Sequence, residues 1–176
     1  MKTINILGLG ESLKTYIPNG EITIGVNDII RFHPVDFLVL ADPPKVFKGE
    51  RLRNICKGIY RVYSHYSEWS LYFRNFEKIS CAPGRATLSA LGTNLIPKSN
   101  NSTFIATCLA YRLGATEIIL YGVDFLGHKT LSQPATLKVA VENFRDLRIE
   151  LARRKCNLYL ASDFGNLRGV IPVKRY

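Results

Sequence analysis

The chain has 176 residues and 47% hydrophobic residues, enough for one domain with a sizeable core and too apolar for a disordered chain. Its net charge of +10 admits a polyanionic partner such as nucleic acid, an acidic membrane surface or a phosphorylated substrate, or simply a basic, soluble surface. No apolar run is long enough to cross a bilayer, and the first residues lack the length and cleavage site of a signal peptide, which favours the cytoplasm.

Residues 3–8 read as a first strand rich in Ile and Leu. Gly8-Leu9-Gly10-Glu11-Ser12 is a turn, with Ser12 or Glu11 placed to cap a short helix through Tyr16. Pro18-Asn19-Gly20 ends that helix, and residues 22–26 are a second strand left at Asn27-Asp28-Ile29. Phe37 to Leu40 is a third strand, stopped by Ala41-Asp42-Pro43-Pro44. Residues 45–57 read as a basic amphipathic helix, and Ile59 to Tyr63 as another strand. In Ser64 to Phe76 the spacing of Tyr66, Trp69, Tyr72, Phe73 and Phe76 fits one apolar helical face, for core packing or ligand stacking.

Ile79 to Asn101 is irregular, either a substrate loop or a long surface connection. Asn101 or Ser102 caps a helix over Thr103 to Leu113, closed by Gly114. Residues 117–121 form a buried strand, and Gly127-His128-Lys129 lies in the loop that follows. Residues 135–155 are a long amphipathic helix with Leu137, Val141, Phe144, Leu147 and Leu151 on its stripe. Leu158 to Ala161 is the last strand. The order predicts a single α/β domain over residues 1–176, a Rossmann-like three-layer fold with a mainly parallel sheet.

Three strands end in glycine and short polar residues: Gly8 to Ser12, Asn27-Asp28, and Gly122 to Asp124. In a parallel sheet such ends gather along one edge, where ligands bind. Gly8 and Gly10 let the backbone approach a phosphate or sugar, or merely make a tight turn. The pattern is GxGxS, without the third glycine of the dinucleotide fingerprint, and no Walker loop is present. Asn27 can read a base or ribose edge, or form an Asx turn. Asp42 and Asp124 can hold Mg2+, orient a hydroxyl, or cap the next loop. His128 is the best proton-transfer candidate; His33 and His65 are not read as catalytic. Cys56, Cys81, Cys108 and Cys156 have no zinc spacing and read as reduced thiols, so no metal ligand set is assigned.

Gly8-Leu9-Gly10-Glu11-Ser12-Leu13 resembles the GxGxSL opening of small bacterial sialyltransferases with a Rossmann-like fold. Asn27, the block from Asn101-Ser102-Thr103 to Gly122-Val123-Asp124-Phe125, and the closing Ala161-Ser162-Asp163 follow the same family. The resemblance implies a glycosyltransferase using a nucleotide-activated donor of CMP type. By that resemblance Gly8, Gly10, Ser12, Asn27 and Ser102 would hold the nucleotide, and the strand-end residues Glu11, Asp42, Gly122, Asp124 and Ser162 complete the candidate nucleotide site. His128 would be the general base on an acceptor hydroxyl, with no cofactor required. The strand-end aspartate Asp42 is closer to a sister group, the 6-hydroxymethylpterin diphosphokinase-like enzymes and flagellin glycosyltransferases; its kinase-like members use ATP and Mg2+. The alternatives are therefore a Mg2+-dependent phosphotransferase and a non-catalytic nucleic-acid-binding accessory protein. An anionic acceptor, nucleic acid included, is compatible with the charge. The chain is shorter than the sialyltransferases, which leaves its acceptor site open or completed by a second subunit of a homo-oligomer.

Overall fold

A computed structural model describes residues 1–58, 60–126 and 133–175. Its centre is one seven-stranded sheet. In chain order the strands are β1 (Thr3–Leu7), β2 (Ile22–Val26), β3 (Phe37–Val39), β4 (Arg61–Ser64), β5 (Phe76–Lys78), β6 (Glu117–Tyr121) and β7 (Asn157–Leu160). They lie in the order β5-β4-β3-β2-β1-β6-β7, and all six pairings are parallel. The α-helices among the described residues are α1 (Glu50–Cys56), α2 (Ser102–Arg112) and α3 (Pro134–Arg153).

Side chains alternate across each strand, so a doubly covered sheet needs apolar residues on both faces. Ile4, Ile6, Ile118 and Leu120 pack on one side with Phe104 and Leu109 of α2 and Phe144, Leu147 and Leu151 of α3. Leu7, Leu38, Ile119 and Tyr121 pack on the other with Ile55 of α1, Phe47 and Trp69. This is the expected three-layer α/β arrangement. The second outer layer is thin: besides α1 it consists of 3₁₀ turns such as Glu11–Thr15, Pro44–Val46 and Ser67–Leu71.

Two elements differ from the sequence reading. The basic helix over 45–57 is split, because Gly49 sits at φ +59 between the 3₁₀ turn Pro44–Val46 and α1. The aromatic stretch 64–76 is not one helical face but a 3₁₀ turn followed by β5. Phe76 joins the sheet opposite Val62, while Trp69 and Phe73 are buried and Tyr72 is exposed. A strand at the sheet's edge gains ladder hydrogen bonds that a short exposed helix would not. The irregular middle is a packed excursion: Ile79, Ala82, Leu91 and Ile96 are buried, and Cys81 bridges to Ile96.

α2 begins as expected at Asn101, whose side-chain oxygen accepts from the backbone N–H groups of Thr103 and Phe104 at 3.0 and 3.1 Å. Gly114 follows its end at φ +87. All four cysteines are free thiols. Cys108 and Cys156 are buried, and burial pushes the Cys156 thiol up to about 11. No described helix is long and apolar enough to cross a membrane.

Candidate functional site

The chain leaves β1 toward β2 through β5 on one side, then returns to place β6 on the other. The carboxyl ends of β1 and β6 therefore flank the point where the strand order reverses, the usual place for a ligand in an open α/β sheet. Both strands continue past their last residues in step. Gly8 N–H donates to Tyr121 O at 2.8 Å, and Gly10 N–H donates to Gly122 O at 2.8 Å.

That contact explains the glycines. A Cβ on Gly8 would lie 2.3 Å from Gly122 O, and one on Gly10 would lie 2.6 Å from Asp124 Oδ2. Gly122 has φ +65, and its Cβ would meet Gly8 O at 2.5 Å. The space these residues leave is filled by the protein's own backbone and by one carboxylate.

Ser12 and Asp124 close the same cradle. Ser12 N–H donates to Asp124 Oδ2 at 2.7 Å, and its hydroxyl donates to Asp124 Oδ1. The Ser12 oxygen also accepts from Gly122 N–H at 3.0 Å. Both groups are buried. Each Asp124 oxygen is thus engaged inside the fold, and the pair acts as a clamp between the β1 turn and the end of β6. Asn166 adds a second tie: its N–H donates to Asp124 O at 2.8 Å and its amide to Phe125 O at 2.9 Å. Gly165, at φ +92, passes so near that a Cβ would lie 2.6 Å from Asp124 O. Neither residue is singled out from the sequence; a glycine–asparagine step in the turn after the last strand was the available signal.

The polar rim lies on the neighbouring strand ends. Asn27 follows β2 in a left-handed conformation, φ 54, and its N–H donates to Val39 O at 3.2 Å. Ser102, the first residue of α2, donates its hydroxyl to Asn27 Oδ1 at 3.4 Å. The structure thus joins two candidate residues 75 positions apart in sequence. Asp42 is exposed beyond β3, its carbonyl held by Trp69 Nε1–H at 2.8 Å. Ser162, beyond β7, has a buried hydroxyl with no hydrogen-bond partner among the described residues. Glu11 faces solvent instead, where it pairs with Lys14 at 3.0 Å. His128 lies outside the described residues.

Among the described residues no group of three or more His, Cys, Asp or Glu side chains is arranged to hold a metal. Part of the basic charge is neutralised within the fold. Arg51 grips buried Asp28 through Nε and Nη2 at 3.1 and 3.0 Å, and Arg154 pairs with Glu150 at 2.7 Å. Lys45, Lys48, Arg53 and Lys57 remain exposed.

Removing the clamp tests its structural role. Asp124→Ala strands the Ser12 donors in a buried site, so it should destabilise the fold by about 3 kcal/mol, read from urea unfolding. A loss below about 1 kcal/mol would mean that the carboxylate is not an essential tie.

No protein-family model matches the chain, and no curated protein does. Solved structures do. The sialyltransferase CstII from Campylobacter jejuni in complex with a substrate analogue, CMP-3FNeuAc, aligns at a TM-score of 0.63 with 16% identity, over 99% of this chain and 86% of that one. The complex of CST-II with a trisaccharide acceptor and CMP aligns at 0.61 and 16%, with the same coverage. The Campylobacter jejuni enzyme with cytidine-5'-monophosphate aligns at 0.60 and 15%, again over 99% and 86%. The chain has a sialyltransferase-like α/β fold along essentially its whole length.

Proposed function

We propose that this protein is a glycosyltransferase that moves a sugar from a nucleotide-activated donor of CMP type to an acceptor hydroxyl. The observation that carries the reading is the rigid cradle at the β1/β6 switch point with the Asn27–Ser102 pair beside it. It is supported by a fold whose solved relatives hold CMP and a trisaccharide acceptor.

In this reading Gly8, Gly10, Ser12, Gly122 and Asp124 fix the shape of the cradle. Asn27 and Ser102 present hydrogen-bonding groups to the nucleotide. His128 takes the acceptor proton. Holding donor and acceptor in line, with general-base help, supplies the rate. The phosphotransferase alternative asks Asp42 and Asp124 to share Mg2+. It is weakened by the engagement of both Asp124 oxygens with Ser12.

A thermal-shift panel of CMP, CDP, UDP, GDP and ATP, each with and without Mg2+, tests the reading. A ligand that binds only the native state raises Tm, by about 2.7 kcal/mol of added stability at a hundred times its Kd. CMP or CDP should stabilise the protein with EDTA present, and Asn27→Ala should lose that shift. Stabilisation by ATP with Mg2+ alone would replace this reading with the phosphotransferase. No shift with any nucleotide, together with steeply salt-dependent retention on heparin, would point to the accessory nucleic-acid binder.

A further inference from the structure

Four 3₁₀ turns follow the carboxyl ends of β1, β2, β3 and β4 in succession: Glu11–Thr15, Ile29–Arg31, Pro44–Val46 and Ser67–Leu71. Leu13, Ile29, Phe47 and Trp69, in or directly after these turns, are buried in one apolar cluster on the same face of the sheet. At the end of each turn, or within two residues of it, a large apolar side chain is left in solvent. Ile17 is 77% exposed, Phe32 62%, Val46 47% and Leu71 84%, with Tyr72 exposed beside Leu71. Single exposed apolar residues are common on any surface. Here they recur at one position in four neighbouring turns, since β1 to β4 are adjacent in the sheet. Adjacent strands lie about 4.8 Å apart, so the four turns form a strip roughly 15 Å long.

Side-chain contacts join the turns to one another. Tyr16 and His33, the neighbours of Ile17 and Phe32, have ring centroids 5.3 Å apart. Asp28 is shared by Arg31 at 3.9 Å and Arg51 at 3.0 Å. The Arg51 guanidinium lies 5.0 Å from the Phe47 ring centroid. Phe47 meets Trp69 at 5.4 Å, and Trp69 meets Tyr72 at 5.7 Å. The exposed side chains therefore stand on one connected framework.

The strip is also basic. Lys45, Lys48, Arg53 and Arg74, in, between or beside the last two turns, are exposed and form no ion pair among the described residues. Asp42, Glu50 and Glu68 are exposed on the same stretch and offset part of this charge. Apolar ends flanked by cations suit a partner that offers an apolar phase and surface anions together. Nucleic acid offers a phosphate backbone but no such phase. An anionic bilayer offers both. Aliphatic and aromatic side chains enter the acyl boundary, tyrosine sits at the headgroup level, and each nearby cation attracts anionic headgroups.

We propose that the exposed apolar ends of these four turns, with Lys45, Lys48, Arg53 and Arg74, dock the protein on an anionic lipid surface. The proposal goes beyond the glycosyl-transfer reading and does not depend on it. Apolar insertion and charge attraction add in such binding, so loss of either weakens it. The strip borders the carboxyl edge: Asp28 directly follows Asn27, and Trp69 Nε1–H donates to Asp42 O at 2.8 Å. Docking therefore brings the candidate site to the membrane surface.

Flotation of the full chain with phosphatidylcholine vesicles, with and without phosphatidylglycerol, tests the proposal. The protein should float with the anionic vesicles, stay behind with the neutral ones, and bind less as salt rises. Phe32→Ser and Leu71→Ser should each weaken binding about tenfold. Lys45→Gln and Lys48→Gln together should weaken it about 30-fold. All four positions are exposed, so these variants should melt like the parent. In Tyr72→Trp, phosphatidylglycerol with brominated acyl chains should quench the added indole, against the constant background of buried Trp69. No flotation with the anionic vesicles overturns the proposal. So does flotation that Phe32→Ser and Leu71→Ser leave unchanged, with no quenching in Tyr72→Trp, because the surface would then bind any polyanion by charge alone. A dimer in sedimentation that Leu71→Ser dissociates, with no vesicle binding by the parent, overturns it in favour of a second copy of this chain.

Discussion

His128→Ala should lower the release of CMP from a CMP-sugar in the presence of acceptor by about 100- to 10,000-fold, the usual contribution of a positioned general base. Its affinity for CMP should stay close to that of the parent, because in the glycosyl-transfer reading the base would meet the acceptor and not the nucleotide. An acceptor hydroxyl is a poor nucleophile until its proton has somewhere to go, and imidazole is the side chain that accepts one near neutral pH. The parent's kcat/KM should therefore fall on the acid side with one titrating group, and that limb should vanish in the variant. The paired measurement separates two failures. Full turnover in His128→Ala removes this residue from the chemistry. Lost turnover with lost CMP binding would mean that the loop serves the donor site, and the role of base would pass to another group.

The sheet was readable from residue order alone because a parallel strand covered on both faces is a short, continuous apolar run with a hard stop. Ile4 to Leu7, Ile22 to Val26 and Ile118 to Tyr121 all have that form. The cap at Asn101 and the glycine after α2 were equally local signals. The aromatic stretch around Trp69 was not. Tyr66, Trp69 and Phe73 recur at helical spacing, yet Trp69 is held by the carbonyl of Asp42 and Phe76 pairs in the sheet. Such tertiary partners do not appear in a local window.

The site divides along the same line. Residue types at Gly8, Ser12, Asn27 and Asp124 marked a strand-end edge, which the structure assembles. Their division of labour depends on contacts across long stretches of chain. Ser12 meets Asp124 over 112 positions, and Gly8 is constrained by the carbonyl of Gly122. From sequence Gly8 and Gly10 look like room for a phosphate, whereas in space they are room for β6. The converse holds for His65. Among aromatic neighbours it is not read as catalytic, and only the parallel pairing of β3 with β4 brings it to the edge shared by Asp42 and Asn27.

Gly122→Ala should destabilise the fold by about 3 kcal/mol or more, since positive φ costs a non-glycine residue of order 1 kcal/mol and overpacking typically adds 1–3. The added methyl would lie 2.5 Å from Gly8 O and 2.8 Å from Gly8 C, which are backbone atoms and cannot swing aside. Relief requires the β1 turn to move away from β6. That movement would break the Gly10 N–H bond to Gly122 O and the Gly122 N–H bond to Ser12, and loosen the Ser12–Asp124 clamp. CMP binding should therefore fall with stability, even at temperatures where the variant is still folded. Gly114→Ala is the control. Gly114 also has positive φ, at +87, but nothing lies within 4 Å of its missing Cβ. It should lose only the backbone term, about 1 kcal/mol, and keep CMP affinity. Equal losses in the two variants would show that the β1 and β6 turns yield to the methyl at little cost. The rigid cradle at the switch point, on which the nucleotide reading rests, would then be lost as an argument.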